Sequence, residues 1–255
     1  MKPSKSNKNF RLLAVDIGNT SAQFGVFAGT SLRETFRIAT YKLNRAHLLE
    51  IQKKIACTKP SVIIIASVVP EAGRFLRRAL PVATGVHTVL IGKDLQVPVV
   101  NKYTKPSQVG TDRLLNALAA FRLCRKEAIV IDFGTAITFD VVSRKGEYLG
   151  GVIAPGIEIS IEALFQKTAL LPKIKLAHPK TVIGRETVES IRIGCSYGIG
   201  GLCDRIVQEI KAKHGLRPLV IATGGYAEFM SRYCRSIDRI EPDLTLRGML
   251  ISYIE

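Results

Sequence analysis

The chain carries one local pattern twice. Leu12 to Phe27 reads Leu-Leu-Ala-Val-Asp-Ile-Gly-Asn-Thr-Ser-Ala-Gln-Phe-Gly-Val-Phe, and Ala128 to Val142 reads Ala-Ile-Val-Ile-Asp-Phe-Gly-Thr-Ala-Ile-Thr-Phe-Asp-Val-Val. In each, a short apolar strand ends in Asp-x-Gly with threonine close behind, and a second β-rich run follows at once, so the middle is a hairpin turn. Either turn alone reads as an ordinary β-hairpin. Glycine lets a backbone approach a ligand closely, and the amide groups of such a turn can cradle a phosphate. The aspartate at the mouth of the strand can hold a cation beside it. Asp16 and Asp132 stand 116 residues apart, a domain-sized repeat. Two similar units, each with a phosphate turn at a hairpin, predict two facing lobes clasping one nucleotide.

Length allows this: 255 residues suffice for a real core in one or two domains. With 47% hydrophobic and 23% charged residues, the composition is that of a globular protein. No apolar run approaches the roughly 18 residues of a membrane span, so no membrane partner is expected. The basic stretch 1–10 reads as a disordered tail, followed by an apolar run too short for a signal peptide. Five cysteines, Cys57, Cys124, Cys195, Cys203 and Cys234, lack C-x-x-C spacing and fit a reducing cytoplasm rather than a disulfide framework or zinc site. The net charge of +16 could mark a nucleic-acid binder. The basic residues are dispersed, however, and no nucleic-acid-binding motif appears. A solvated basic surface that attracts anionic ligands is the preferred reading.

Along the chain, the pattern predicts strand, hairpin and further strand over Leu12–Ile38 and a helix over Arg45–Cys57. A strand buried on both faces follows over Ser61–Val69, then a helix over Glu71–Leu80 and a strand over Val86–Ile91. Alternating strands and helices indicate an α/β fold with parallel strands. After a loop marked by Pro106 and Gly110, Thr111 or Asp112 caps a helix with Leu114, Leu115, Leu118 and Phe121 on its buried face. An acid in a first turn suits the helix dipole. The same acid beside Arg113 also suits a site facing a cleft, and the residues alone leave both readings open. A helix is predicted over Ile157–Lys167. A longer one starts near Thr187, with Val188, Ile191, Cys195, Ile199, Leu202, Ile206 and Ile210 as a sustained apolar stripe. Gly194, Gly198 and Gly201 lie beside it, and close backbone packing is expected to offset their helix cost of about 1 kcal/mol each. Leu219–Ala222 reads as a strand, Thr223-Gly224-Gly225-Tyr226-Ala227 as a third glycine-rich turn, and the stretch from Asp243 as a final helix.

The three turns come in the order of the phosphate-1, phosphate-2 and adenosine motifs of the actin/sugar-kinase/Hsp70 superfold. Four further stretches, Gly110-Thr-Asp-Arg113, Gly150-Gly-Val-Ile-Ala-Pro-Gly156, Thr168-Ala-Leu-Leu-Pro172 and Asp243-Leu-Thr-Leu-Arg-Gly248, resemble type III pantothenate kinase from Leu12 to Glu255. The resemblance implies an α/β fold of two duplicated actin-like (ribonuclease H-like) lobes with a nucleotide cleft between them. The N-terminal lobe would span 11–118 and be completed by 240–255; the C-terminal lobe would span 119–239. The implied reaction is ATP-dependent phosphorylation of pantothenate to 4′-phosphopantothenate, the first step of coenzyme A synthesis. The implied cofactors are K⁺ or NH₄⁺ and Mg²⁺ with ATP, and the implied assembly is a cytoplasmic homodimer.

Carried over by motif, Asp16, Ile17, Gly18, Asn19, Thr20, Ser21, Ala22 and Gln23 bind ATP, with Asp16 a possible Mg²⁺ ligand, and Thr135 touches ATP. Gly110, Thr111, Asp112 and Arg113 bind pantothenate, with Asp112 the proton acceptor. Asp132 holds the monovalent cation. Tyr103 and Thr187 contact pantothenate. Phosphoryl transfer rests mainly on positioning and charge neutralisation, and these residue types supply both. Two rivals differ in class. A kinase of the same superfold could act on a sugar or acetate, since fold does not fix substrate. A non-enzymatic, nucleic-acid-binding regulator would use the positive charge and show a salt-dependent DNA shift without ATP turnover.

Overall fold

Each Asp-x-Gly turn joins the first two strands of a separate sheet, and the two sheets have the same strand order. The computed structural model describes residues 10–215 and 217–255; of the basic tail expected over 1–10, residues 1–9 lie outside the described residues. The chain divides into two compact units, one formed by the chain up to Ala119 together with Leu244–Glu255, the other by Ala120–Asp243.

In the first unit, β1 (Arg11–Ile17), β2 (Ser21–Ala28) and β3 (Ser31–Ala39) form an antiparallel meander. Asn44 then caps a 3₁₀ turn, Arg45–His47, its Oδ1 accepting the Ala46 and His47 N–H groups. The α-helix proper, α1 (Leu48–Thr58), therefore begins three residues later than the apolar spacing predicts. The chain returns as β4 (Val62–Ser67), parallel to β1, then α2 (Pro70–Thr84), β5 (Thr88–Leu90) parallel to β4, and α3 (Thr111–Cys124). The sheet order is β3-β2-β1-β4-β5. Central strand β1 is buried on both faces, which explains its unbroken apolar run. Leu13, Val15 and Ile17 pack with Ile51, Ile55, Leu76 and Leu80 of α1 and α2. Leu12 and Ala14 pack on the opposite face with Leu115 of α3.

The second unit repeats the plan. Strands β6 (Ala128–Phe133), β7 (Ala136–Val142) and β8 (Tyr148–Pro155) form the meander, followed by α4 (Ile157–Lys167) and α5 (Thr187–Ile193). A π-helical segment, Gly194–Gly198, runs into α6 (Ile199–His214). Then β9 (Leu219–Thr223) pairs parallel to β6, and after α7 (Ala227–Met230) β10 (Arg239–Ile240) pairs parallel to β9. The order β8-β7-β6-β9-β10 matches the first sheet strand for strand. Ile131, Phe133, Phe139 and Ala222 face a core completed by Ile161, Ile191, Cys203 and Val207 from the helices. Finally α8 (Leu244–Ile254) returns to the first unit and lays Leu246, Met249 and Leu250 on the α3 face of that sheet.

The long helix differs from its sequence reading in two ways. It is interrupted by the π segment. At Gly194, Gly198 and Gly201 no atom of another element among the described residues lies within 4 Å of the position a Cβ would take, so the expected close packing is not at these glycines. The close approach is at Gly200, where a Cβ would overlap the Tyr233 carbonyl. The inserted residue of a π turn shifts which side of the helix faces the core, and an α-periodic reading cannot anticipate that.

Candidate active site

The first phosphate turn is built by β1, β2 and the end of β3. The Gly18 N–H donates to the Ser21 carbonyl (3.1 Å) and closes the turn. Thr40, just beyond β3, buttresses it twice: its hydroxyl donates to the Gly18 carbonyl (2.7 Å) and its N–H to the Thr20 carbonyl (3.0 Å). Asn19 and Thr20 are exposed at the tip. Ile17 and Ala22 are fully buried in the core, so these two can offer a nucleotide only backbone. Asp16 is half-buried and lies directly opposite Gln23 across the β1–β2 ladder. Alternation places both on the sheet face that α3 and α8 cover. Arg37 donates to Gln23 Oε1 (3.2 Å).

On that face, α3 begins at Thr111, with Asp112 in its first turn. Asp112 is half-buried, and its Oδ1 accepts the Arg113 N–H (2.9 Å). A Cβ at Gly110 would overlap the same oxygen, so a larger residue there would have to displace the carboxylate. Burial pushes the Asp112 carboxyl above its ordinary range, against the backbone hydrogen bond and charge of Arg113, which pull it down. Arg113 is buried. Thr245 of α8 donates to the buried Asn116 (2.8 Å), one turn further along α3. Tyr103 lies in an irregular stretch ahead of the 3₁₀ turn Pro106–Gln108, its N–H donating to Asn101.

In the second unit, two glycine turns and a helix start converge. Asp132, near the end of β6, is half-buried on the face away from the apolar core. It stands opposite Thr138 of β7 and Thr223 of β9. Gly224 adopts φ +90°, and a Cβ there would overlap the Asp132 carboxylate and lie 2.7 Å from the Phe133 backbone. Gly156, capping α4, packs so closely on the Gly134–Thr135 turn that a Cβ would overlap the Thr135 carbonyl. The Tyr226 N–H donates to the Phe133 carbonyl, and its hydroxyl donates to Glu158 in the first turn of α4. Burial and that bond push the Tyr226 phenol up to about 12. Thr187 is exposed at the first position of α5.

Thus one unit sets Asp16 and Gln23 on the sheet face on which α3, led by Gly110–Arg113, packs, and the other gathers Asp132, Thr135 and the third glycine turn. Thr40, Thr138, Asp140 and Tyr226 escape a reading of motifs. Each is fixed by strand register or by a contact distant in sequence, and only the alternation around Asp132 hints at Thr138 and Asp140.

No group of three or more His, Cys, Asp or Glu side chains able to hold a metal occurs among the described residues. Carboxylates beside hydroxyls and carbonyls are nevertheless hard oxygen donors. They suit K⁺, or an Mg²⁺ that keeps its waters and is shared with phosphates.

Two mixed five-stranded sheets of equal order, each opened by an Asp-x-Gly hairpin, define an actin-like fold. A ROK family glucokinase from Streptomyces griseus, solved with glucose and AMPPNP, matches at TM-score 0.54 and 11% identity, over 94% of this chain and 97% of that one. A Baf-family protein from Campylobacter jejuni matches at 0.57 and 20% identity, over 94% and 96%. Within that class, the chain belongs to the type III pantothenate kinase family, whose model matches residues 12–209. It is 41% identical to the type III pantothenate kinase of Syntrophus aciditrophicus and 39% identical to that of Geobacter sulfurreducens, in both cases over 95% of this chain and 98% of the relative.

Proposed function

We propose that this chain transfers the γ-phosphoryl group of ATP to the primary hydroxyl of pantothenate, giving 4′-phosphopantothenate for coenzyme A synthesis. The observation that carries the reading is Asp112. It is a half-buried carboxylate at the start of α3, which packs on the sheet face that also carries Asp16, in a chain whose residues 12–209 match this family. A hydroxyl is a poor nucleophile, and a carboxylate within hydrogen-bond reach orients it and takes its proton as the bond to phosphorus forms. Arg113 is suited to pair with the pantothenate carboxylate as a planar fork, and Gly110, Thr111, Tyr103 and Thr187 complete the pantothenate contacts. The backbone of Asp16–Gln23, with Thr135, holds the ATP phosphates. Asp16 would hold Mg²⁺ and Asp132 would hold K⁺ or NH₄⁺. Bound there, the cations neutralise charge on the phosphates.

The family likeness favours pantothenate over a sugar or acetate. We further propose a homodimer formed through the α5–α6 helix, where Gly194, Gly198 and Gly201 leave open a face bordered by the half-exposed Tyr197. The free cysteines support a reducing, cytoplasmic setting. The test is ADP release by the purified chain. It should require pantothenate, not glucose or acetate, and should be faster in K⁺ than in a bulky organic cation. ATP turnover indifferent to pantothenate, or a DNA shift with no turnover, would refute the reading.

A further inference from the structure

The third glycine turn has few anchors of its own. Gly224 adopts φ +90° against the Asp132 carboxylate and the Phe133 backbone, Gly225 is exposed, and α7 beyond it has only four residues. One side chain ties this turn to a different helix. Tyr226, half-buried, donates its hydroxyl to Glu158 in the first turn of α4, 68 residues away in the chain. Among the described residues no other hydrogen bond joins the turn to α4.

The contacts around this bond close a circuit. The Tyr226 N–H donates to the Phe133 carbonyl (3.3 Å). From Phe133 the chain runs through Gly134 to Thr135, and Gly156 packs against the carbonyls of both. Gly156 caps α4, and two residues further on Glu158 reaches back to Tyr226. The Gly134–Thr135 turn is therefore bracketed between the third glycine turn and the start of α4. With its phenol pushed up to about 12, Tyr226 keeps its proton at neutral pH and remains a donor. Glu158 is exposed and gives up water to accept the bond, so the gain in folding stability is modest. What the bond fixes is where the third turn sits relative to α4.

We propose that Tyr226 and Glu158 are positioning residues for the nucleotide: their hydrogen bond holds the third glycine turn and the Gly134–Thr135 turn in the arrangement that ATP requires. Without it the nucleotide must order the turn as it binds, and that cost falls on affinity rather than on the chemical step. The proposal rests on the reading of these two turns as nucleotide turns.

The experiment is a calorimetric titration of Mg·ADP into the full-length chain, paired with steady-state kinetics. Tyr226→Phe and Glu158→Ala should each raise the Mg·ADP dissociation constant and the KM for ATP about three- to tenfold, as loss of one hydrogen bond felt at the nucleotide predicts. The KM for pantothenate and the melting temperature should hardly move. Glu158→Gln keeps an oxygen to accept the bond and should recover most of the affinity. The double variant Tyr226→Phe/Glu158→Ala should bind no more weakly than either single one, because both remove the same bond. If the single variants lower the melting temperature and leave Mg·ADP affinity at the wild-type value, the bond serves only the fold and the proposal is overturned. It is also overturned if the double variant multiplies the two single losses, since the residues then act separately. If the wild type itself does not bind Mg·ADP, the nucleotide reading of the turns fails and the proposal falls with it.

Discussion

A carboxylate in the first turn of a helix can serve the helix or a substrate, and Asp112 is placed to do both. Both residues expected to cap the helix lie within it, Thr111 first and Asp112 second; asparagine at 112 keeps the size and an oxygen to accept the Arg113 N–H, so Asp112→Asn separates the two roles. Loss of a general base should lower kcat by about 10²–10⁴, with ATP binding retained in a calorimetric titration. The pH dependence adds a second check. Burial raises the Asp112 carboxyl in the folded chain, so its ionised form opposes folding once the pH passes the unfolded value of 3.8. The Asn variant should therefore melt no lower than wild type at neutral pH. The acid limb of wild-type kcat/KM should also lie above the ordinary carboxylate range. Glu127 behaves oppositely. Arg144 forks onto it from the β7–β8 turn (Nε 3.1 Å, Nη2 3.4 Å) and holds its carboxyl low. That contribution is present above the unfolded value of 4.5 and is lost as pH falls through the depressed folded value. Arg144→Ala should lower the melting temperature at neutral pH, and the difference from wild type should vanish in acid.

Glycine sets how closely elements cross. At Gly248, α8 lies so near α3 that a Cβ would overlap the Leu115 carbonyl, and at Gly200 α6 meets the Tyr233 carbonyl in the same way. Backbone cannot swing aside as a side chain can, so Gly248→Ala and Gly200→Ala should each destabilise by about 1–3 kcal/mol or more in urea denaturation. Because α3 carries Asp112, Gly248→Ala should also depress turnover of the folded fraction, whereas Gly200→Ala should act on stability alone. In the long helix the sequence pointed to close packing at Gly194, Gly198 and Gly201, whereas the close approach is at the neighbouring Gly200; at Gly248 it made no packing prediction. The hairpins at Asp16 and Asp132 were legible because strand, turn and strand are contiguous. Helix Ile157–Lys167 was legible to the residue, having an apolar face and glycine before it. The 3₁₀ start before Leu48 and the π segment at Gly194 were not, since both keep an apolar pattern close to that of an α-helix. Candidate site residues could be named from sequence where they sit in one motif, as at Gly110–Arg113. They could not where register unites them, as with Thr138 and Asp140, or where a distant segment reaches in, as with Thr40.

At the scale of the whole molecule, the net charge of +16 should draw ATP and pantothenate, both anions, toward the protein. Screening at physiological salt acts over about 8 Å, so KM for both should rise with ionic strength while kcat changes little. The uncovered glycine face of α5–α6 predicts light scattering near twice the 28.0 kDa of one chain. It also predicts that Gly198→Leu weakens the dimer without unfolding the subunit. The path of the chain carries a further consequence. The first unit opens at β1 yet takes α8 from beyond the entire second unit, and Leu246, Met249 and Leu250 lie in the same apolar cluster as Leu12 and Ala14. A ribosome making this protein must therefore finish the second unit before it can deliver the helix that seals the first. Until residue 250 has cleared the exit tunnel, that greasy side of the first sheet has α3 but not α8 to cover it, while the second unit, drawn from one continuous stretch, is free to fold. Chains held on the ribosome by a C-terminal spacer, with residue 243 outside the tunnel and Leu244–Glu255 still inside it, should be cut by protease in the first unit while the second resists, and release of the last helix should protect both.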